Sequence, residues 1–166
     1  AASFASVALA AGGELDRSFS GDGWVRTLEV RSPTNSYLPR GGEDVALQHD
    51  GKMLVAGEIL DATSHWYFGV LRYTADGSVD RTFAGDGLAE VDLGEFEFAH
   101  AVAVQRNGRV VVAGETDCRF AICFALVRFL PNGTLDRSFG TNGVVRTTFA
   151  TYGASRAYDV AVQPNG

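Results

Sequence analysis

The phrase LDRSF at 15–19 returns as VDRTF at 79–83 and again as LDRSF at 135–139. A second phrase runs in step with it: DVALQHDG at 44–51, AVAVQRNG at 101–108 and DVAVQPNG at 159–166. The period is 56 to 64 residues. A unit of that length is one supersecondary motif that cannot bury its apolar face alone, so it must stack on its neighbours. The chain is therefore expected to fold as an array.

Each unit reads as four short strands. EDVALQ (43–48) puts Val45 and Leu47 on one side, the period-2 pattern of a strand. His49-Asp50-Gly51 is a hairpin turn, because Asp-Gly supplies the positive φ of tight turns. KMLVAGE (52–58) and WYFGVLRYT (66–74) are nearly continuous apolar strands, as expected where both faces are covered. Asp76-Gly77 and Gly85-Asp86-Gly87 turn the chain again, and LAEVDL (88–93) is amphipathic, suited to an outer rim. The next unit repeats this with HAVAVQ, RVVVAGE, ICFALVRFL and VVRTTF (144–149). Nothing has helical periodicity. Repeated four-stranded antiparallel units with Gly-rich turns describe the blades of a β-propeller, whereas β-solenoid coils are shorter. The expected fold class is all-β: a β-propeller-type array of four-stranded antiparallel blades in an incomplete ring.

Residues 1–166 then form one propeller segment: a blade remnant at 4–30, blades at 43–93 and 100–149, and the start of a further blade at 158–166. Ala8-Leu9-Ala10 resembles a signal-peptide cleavage site. However, FASVALAAGGELD (4–16) aligns without gaps on 68–80 and 124–136, so it reads as the third strand of a preceding blade. Ala8 stands there where Arg72 and Arg128 stand. An open array leaves raw strand edges. The chain is thus expected to continue into a longer polypeptide or to associate with copies of itself.

The run Q-x-(D/N)-G-(K/R), (L/V)-V-A-G, F-x-x-x-R-(Y/F)-x-x-(D/N)-G-(S/T)-(L/V)-D-x-(S/T)-F and G-x-(D/N)-G resembles the delta-60 repeat, and more distantly the NHL type of propeller blade. The resemblance covers nearly the whole chain. It implies propeller architecture of the kind found in large bacterial surface or secreted proteins, with no defined common activity and no catalytic residues to carry over.

Composition narrows the partners. Fourteen Lys and Arg against 20 Asp and Glu give a net charge of −6. That argues against nucleic acid, which needs a basic face, and against an anionic membrane surface. No apolar run approaches the roughly 20 residues of a spanning helix. Cys118 and Cys123 are expected to form a local disulfide, with two buried thiols as the alternative; no C-x-x-C or nearby His suggests zinc there. The Gly-Asp-Gly turns at 21–23 and 85–87 resemble calcium-loop fragments but lack the alternating acidic ligands. No cofactor or metal is expected.

Repetition also separates scaffold from site. Asp16, Asp80 and Asp136 recur and read as turn caps. Phe19, Phe83 and Phe139 read as core plugs. Arg72 and Arg128 read as partners of a carboxylate or carbonyl between blades. Non-recurring segments lie elsewhere: RSPTNSYLPRGG (31–42), the stretch 59–66, GEFEFA (94–99), the stretch 118–123 and ATYGASRA (150–157). In an antiparallel blade these connections emerge on one face, where loops carry recognition. Glu43, His100 and Tyr158 occupy equivalent positions at the channel mouth. Tyr37, Arg40, His65, Trp66, Arg119, Tyr152 and Arg156 lie further out. Aromatic rings mixed with Arg suit a protein or glycan contact. The leading expectation is a non-enzymatic binding or assembly scaffold, secreted or at the cell surface. The alternatives are a channel-mouth glycan lyase or hydrolase using Glu43 and His100 with blades outside this chain, and a structural filament subunit.

Overall fold

The computed structural model describes residues 4–7, 14–31, 36–118, 121–149 and 153–166. Twelve strands lie in three sheets, all antiparallel except for one short pairing, and the described residues contain no helix. β1 (Phe4–Val7) pairs with β2 (Trp24–Thr27), half of a preceding blade. The first whole blade has the order β3 (Val30–Arg31), β4 (Ser36–Leu47), β5 (Met53–Asp61), β6 (Trp66–Tyr73), β7 (Leu88–Val91). The second has β8 (Glu97–Val104), β9 (Val110–Cys118), β10 (Ala121–Phe129), β11 (Val144–Thr147), with β12 (Gly153–Ala154) added parallel to β10.

Blades pack face to face. One core joins them: Leu54, Phe68 and Val70 of the first blade meet Val102, Val112 and Val127 of the second. The opposite face of the first blade buries Val30, Val55, Ile59 and Leu71, with Val25 of the preceding half-blade packed against them. This is why β5 and β6 are apolar on both faces. β10 instead alternates buried and half-buried positions, because its far face has less to pack against.

Two expectations change. The stretch 31–42 is not mainly a loop: from Ser36 it extends β4, pairing with β5 as far as Tyr37 opposite Asp61. Pro39 and the Gly41-Gly42 pair hid this, because they sit at the register shifts, where strands tolerate such residues. The stretch 59–66 likewise shrinks to a turn at 62–65, held by Asp61 Oδ1, which accepts from the amides of Thr63 (2.8 Å) and His65 (3.0 Å). Residues 8–13 of the aligned N-terminal stretch lie outside the described residues. Residues 158–163 join no ladder; Asp159 Oδ1 nevertheless accepts from Val160 N (2.7 Å), as Asp44 Oδ1 does from Val45 N (2.8 Å).

The recurrent phrase builds a lock between blades. Asp80 Oδ1 accepts from the Thr82 amide (3.1 Å) and hydroxyl (2.6 Å), and Asp136 does the same with Ser138 (3.1 and 2.6 Å). The other carboxylate oxygen receives Arg72 Nε at 2.9 Å, or Arg128 Nε at 2.9 Å in the second blade. Each guanidinium also lies over the phrase's own phenylalanine, Phe83 at 4.3 Å and Phe139 at 4.5 Å. The next residue is left-handed in all three copies: Ser20 (φ 54°), Ala84 (φ 54°) and Gly140 (φ 52°). That geometry aims its amide at the following blade, where Ser20 N donates to Asp76 O and Ala84 N to Asn132 O, both at 2.7 Å. Arg72 Nη1 reaches across the same joint to Pro131 O (2.9 Å). Gly77 and Gly133 both have a φ of +88°, which favours glycine; a Cβ at Gly133 would also lie 2.6 Å from Ala84 N, and one at Gly77 would press on the Phe19 ring at 3.1 Å. Arg17, Arg81 and Arg137 remain exposed.

Burial alone would raise the Asp80 carboxyl, but Thr82 and the charge of Arg72 outweigh it and hold it below the usual range. The Ser138 hydroxyl, then its amide and Arg109 and Arg128, bring Asp136 to about 2. Both values are depressed in the fold. Their contribution is therefore complete above the unfolded carboxylate range and lost as pH falls through the folded values, between about 4 and 2. We expect a shallow stability profile from these groups above pH ~4 and a steep acid limb below it, less steep in Asp136→Asn. Asp80→Asn, which leaves the Arg72 guanidinium buried without its charge partner, should lower stability by about 3 kcal/mol in urea denaturation.

Candidate functional site

The face opposite the lock gathers the β5–β6 turn, the β7–β8 connection and the far end of β9. Asp117, at the end of β9, accepts from the Glu95 amide (2.9 Å), and His65 in the β5–β6 turn lies beside Asp92 just past β7. On this face the inner strands carry a cluster of charge and rings. His100 Nε2 is 3.4 Å from Glu115 Oε1, and the other oxygen of Glu115 accepts from Arg156 Nε. Burial, then the charge of Glu43, raises the Glu58 carboxyl, while His100 opposes the shift. Inner strands are also tied directly, Val102 N donating to Asp44 Oδ2 at 2.8 Å.

A row of rings crosses this region from blade to blade. Trp66 lies 5.4 Å from Phe98, Phe98 stacks on His100 at 6.5 Å, and His100 lies 5.1 Å from Tyr158. Tyr158 is 69% exposed, so the row has an accessible end.

The residues singled out from sequence therefore divide. His100, Arg156 and Tyr158 come together, with Glu43 acting on Glu58 nearby, and Trp66 begins the ring row. Arg40 is half-buried on β4, at the shift between Pro39 and Gly41. Tyr37 is not displayed: it is buried against the edge of Tyr67 (5.5 Å) and its hydroxyl donates to Glu90 Oε1 (3.0 Å), because β4 extends beneath the rim. Arg119 and Tyr152 lie outside the described residues. Cys118 and Cys123 are joined by a disulfide across the β9–β10 hairpin. Glu58 and Glu115 escaped notice because they close the recurring AGE phrase, and Phe98 because its neighbours read as a connection.

A third group sits beside the row. Glu97 is fully buried at the start of β8; its carboxylate accepts from the amides of Leu93, Gly94 (2.6 Å) and Phe68 (2.8 Å). Burial nevertheless pushes its carboxyl up to about 7. The surroundings are acidic: burial, then the charges of Asp61, Asp92 and Glu90, push the Tyr67 hydroxyl up to about 12. On the outer rim, an open groove of about 600 Å³ lies between the whole blades, lined by Tyr37, Asp86, Leu88, Glu90 and Thr134. An equivalent groove of about 620 Å³ follows the preceding half-blade, so the feature belongs to the stacking itself.

Face-packed antiparallel blades locked turn to turn define a β-propeller-type domain, here two whole blades and half of another. The family model described as "Domain of unknown function (DUF5122) beta-propeller" matches residues 48–83 and 105–139. Each match runs from the first hairpin turn of a blade to the lock phenylalanine. No curated protein matches the chain.

Glu115 is the hinge of the mouth cluster, holding β8 and the segment that follows β12. Glu115→Gln should raise amide hydrogen exchange across 153–160 while leaving the β9–β10 ladder protected, read by mass spectrometry.

Proposed function

We propose that this chain is a non-enzymatic binding and assembly scaffold of the delta-60 type, secreted or at the cell surface, which takes a protein or glycan partner on the mouth face. The observation that carries this reading is the ring row Trp66–Phe98–His100–Tyr158, flanked by Arg156 and Glu115. Aromatic rings beside Arg are what contact surfaces concentrate, since they bury large area at small entropic expense. The Cys118–Cys123 disulfide supports an oxidising compartment. No described helix is long and apolar enough to cross a membrane.

The assembly half of the proposal rests on the last lock. Arg128 is 19% exposed where Arg72 is 7%, and Phe139 is half-buried where Phe83 is fully buried. The left-handed Gly140 has the geometry of Ser20 and Ala84. A further (D/N)-G turn, from continuation of the chain or from another copy, fits this surface.

Screening the chain against a polysaccharide panel and against candidate surface proteins tests the partner face. Trp66→Ala with Tyr158→Ala should reduce any binding found by tenfold or more, roughly 1.4 kcal/mol. Undiminished binding would remove the row from the contact. Turnover of a polysaccharide that is lost in Glu115→Gln would make the chain an enzyme instead. Sedimentation of the 166-residue chain tests assembly: we expect concentration-dependent association that Phe139→Ala weakens, and a monodisperse monomer would refute it.

A further inference from the structure

We propose that His65, Asp92 and Glu97 form a binding site for one divalent transition-metal ion, with zinc the best match to the donors. The three residues come from the β5–β6 turn, the connection just past β7 and the start of β8. One donor atom from each lies within 4.8 Å of the other two. His65 Nε2 and Asp92 Oδ1 are 3.4 Å apart. Tetrahedral zinc with bonds of about 2.0–2.1 Å sets neighbouring donors roughly 3.3 Å apart. One pair already has that spacing, and the set needs to contract by no more than about 1.5 Å.

The donors are also poised chemically. His65 Nε2 is shut off from solvent and has no hydrogen-bond partner, a state that buried nitrogen atoms rarely hold without a reason. Glu97 uses three of its roughly four acceptor sites on backbone amides, which leaves one for a cation. Imidazole with carboxylates suits zinc and its neighbours in the first transition row. Calcium instead wants six to eight oxygen ligands, which this set does not offer. Asp92 is 60% exposed, so a fourth position opens toward solvent for water or a partner's donor group.

The array supplies its own control. At the preceding blade junction, the positions of Asp92 and Glu97 hold Leu28 and Arg40; at the following junction, the positions of His65, Asp92 and Glu97 hold Ala121, Thr148 and Ser155. Ser155 performs the backbone task of Glu97, its Oγ accepting from Phe149 N at 3.1 Å where Glu97 accepts from Leu93 N. A neutral hydroxyl is thus enough to hold that connection. The histidine and both carboxylates coincide at one junction alone among these. The site stands independently of the proposed partner face.

The test is a titration of the EDTA-stripped 166-residue chain with zinc chloride, in competition with a chromophoric chelator. One zinc per chain should bind, and the thermal midpoint should rise with zinc. His65→Ala, a change at a half-exposed side chain, should weaken zinc binding by at least about 100-fold. Asp92→Asn should weaken it as well, and His49→Ala should not. Circular dichroism checks that each variant is folded. Absence of stoichiometric zinc binding by the folded chain would overturn the proposal, as would His65→Ala binding zinc as tightly as the parent. Magnesium or calcium displacing zinc on equal terms would also overturn it, since that behaviour belongs to a diffuse acidic surface.

Discussion

The structure hangs on a buried arginine. Arg72 is threaded through an apolar strand, and its guanidinium is met by Asp80, Thr82 and the Pro131 carbonyl of the next blade, with the Phe83 ring beneath. Taking such a pair out of water costs several kcal/mol per ion, so it is stable only where the remaining donors are answered. Here they are. The return is specificity: Asp80 shapes the turn, the turn forces Ala84 left-handed, and Ala84 then donates to one carbonyl in the following blade. Only a turn with glycine at the Gly133 position lets Phe83 seat. Blades therefore stack in one register, although the apolar faces between them would tolerate several.

Because the lock fixes one side of every blade, the other side is free to vary. The backbone there is held by side-chain caps that differ from blade to blade, among them Asp44 on Val102 N, Asp61 on the 62–65 turn, Asp117 on Glu95 N, and Glu97 or Ser155. Side chains at the mouth are accordingly not alike from blade to blade: Glu43, His100 and Tyr158 share a position and differ in charge, size and polarity. The ring row takes in two of these positions, His100 and Tyr158, on a fixed backbone frame. The same frame explains why the rim grooves recur and the mouth cluster does not.

Much of this was legible in the sequence. The period, the hairpin turns, the doubly covered strands, the capping aspartates and the disulfide all follow from local chemistry, which speaks through spacing and residue type. What was not legible depended on pairing across the chain. Ser36–Gly42 reads as a loop because Pro39 and two glycines disfavour a strand, yet β5 offers a partner and bulges absorb the misfit. Tyr37 reads as exposed for the same reason. Residues 158–163 have the composition of an inner strand and join no ladder. At the mouth, treating recurrence as a mark of scaffold discarded Glu58 and Glu115, which recur and still face the cluster. An inner-strand neighbour at a channel mouth is scaffold by backbone and surface by side chain.

Glu97 shows how far the comparison between repeats can be pressed. Burying a carboxylate is unfavourable unless its charge is answered, and three amide donors answer it only in part, since burial still drives the carboxyl toward about 7. At the next junction a serine hydroxyl caps the equivalent amide without that penalty. Architecture therefore does not require the acid. Nor does it require His65 beside it with a buried nitrogen that makes no hydrogen bond, or Asp92 3.4 Å from that nitrogen. Each of these is slightly unfavourable alone. Together they are the groups whose electrostatic demands one cation satisfies at once, and their coincidence falls at a junction where the repeat elsewhere uses neutral, aliphatic or basic residues.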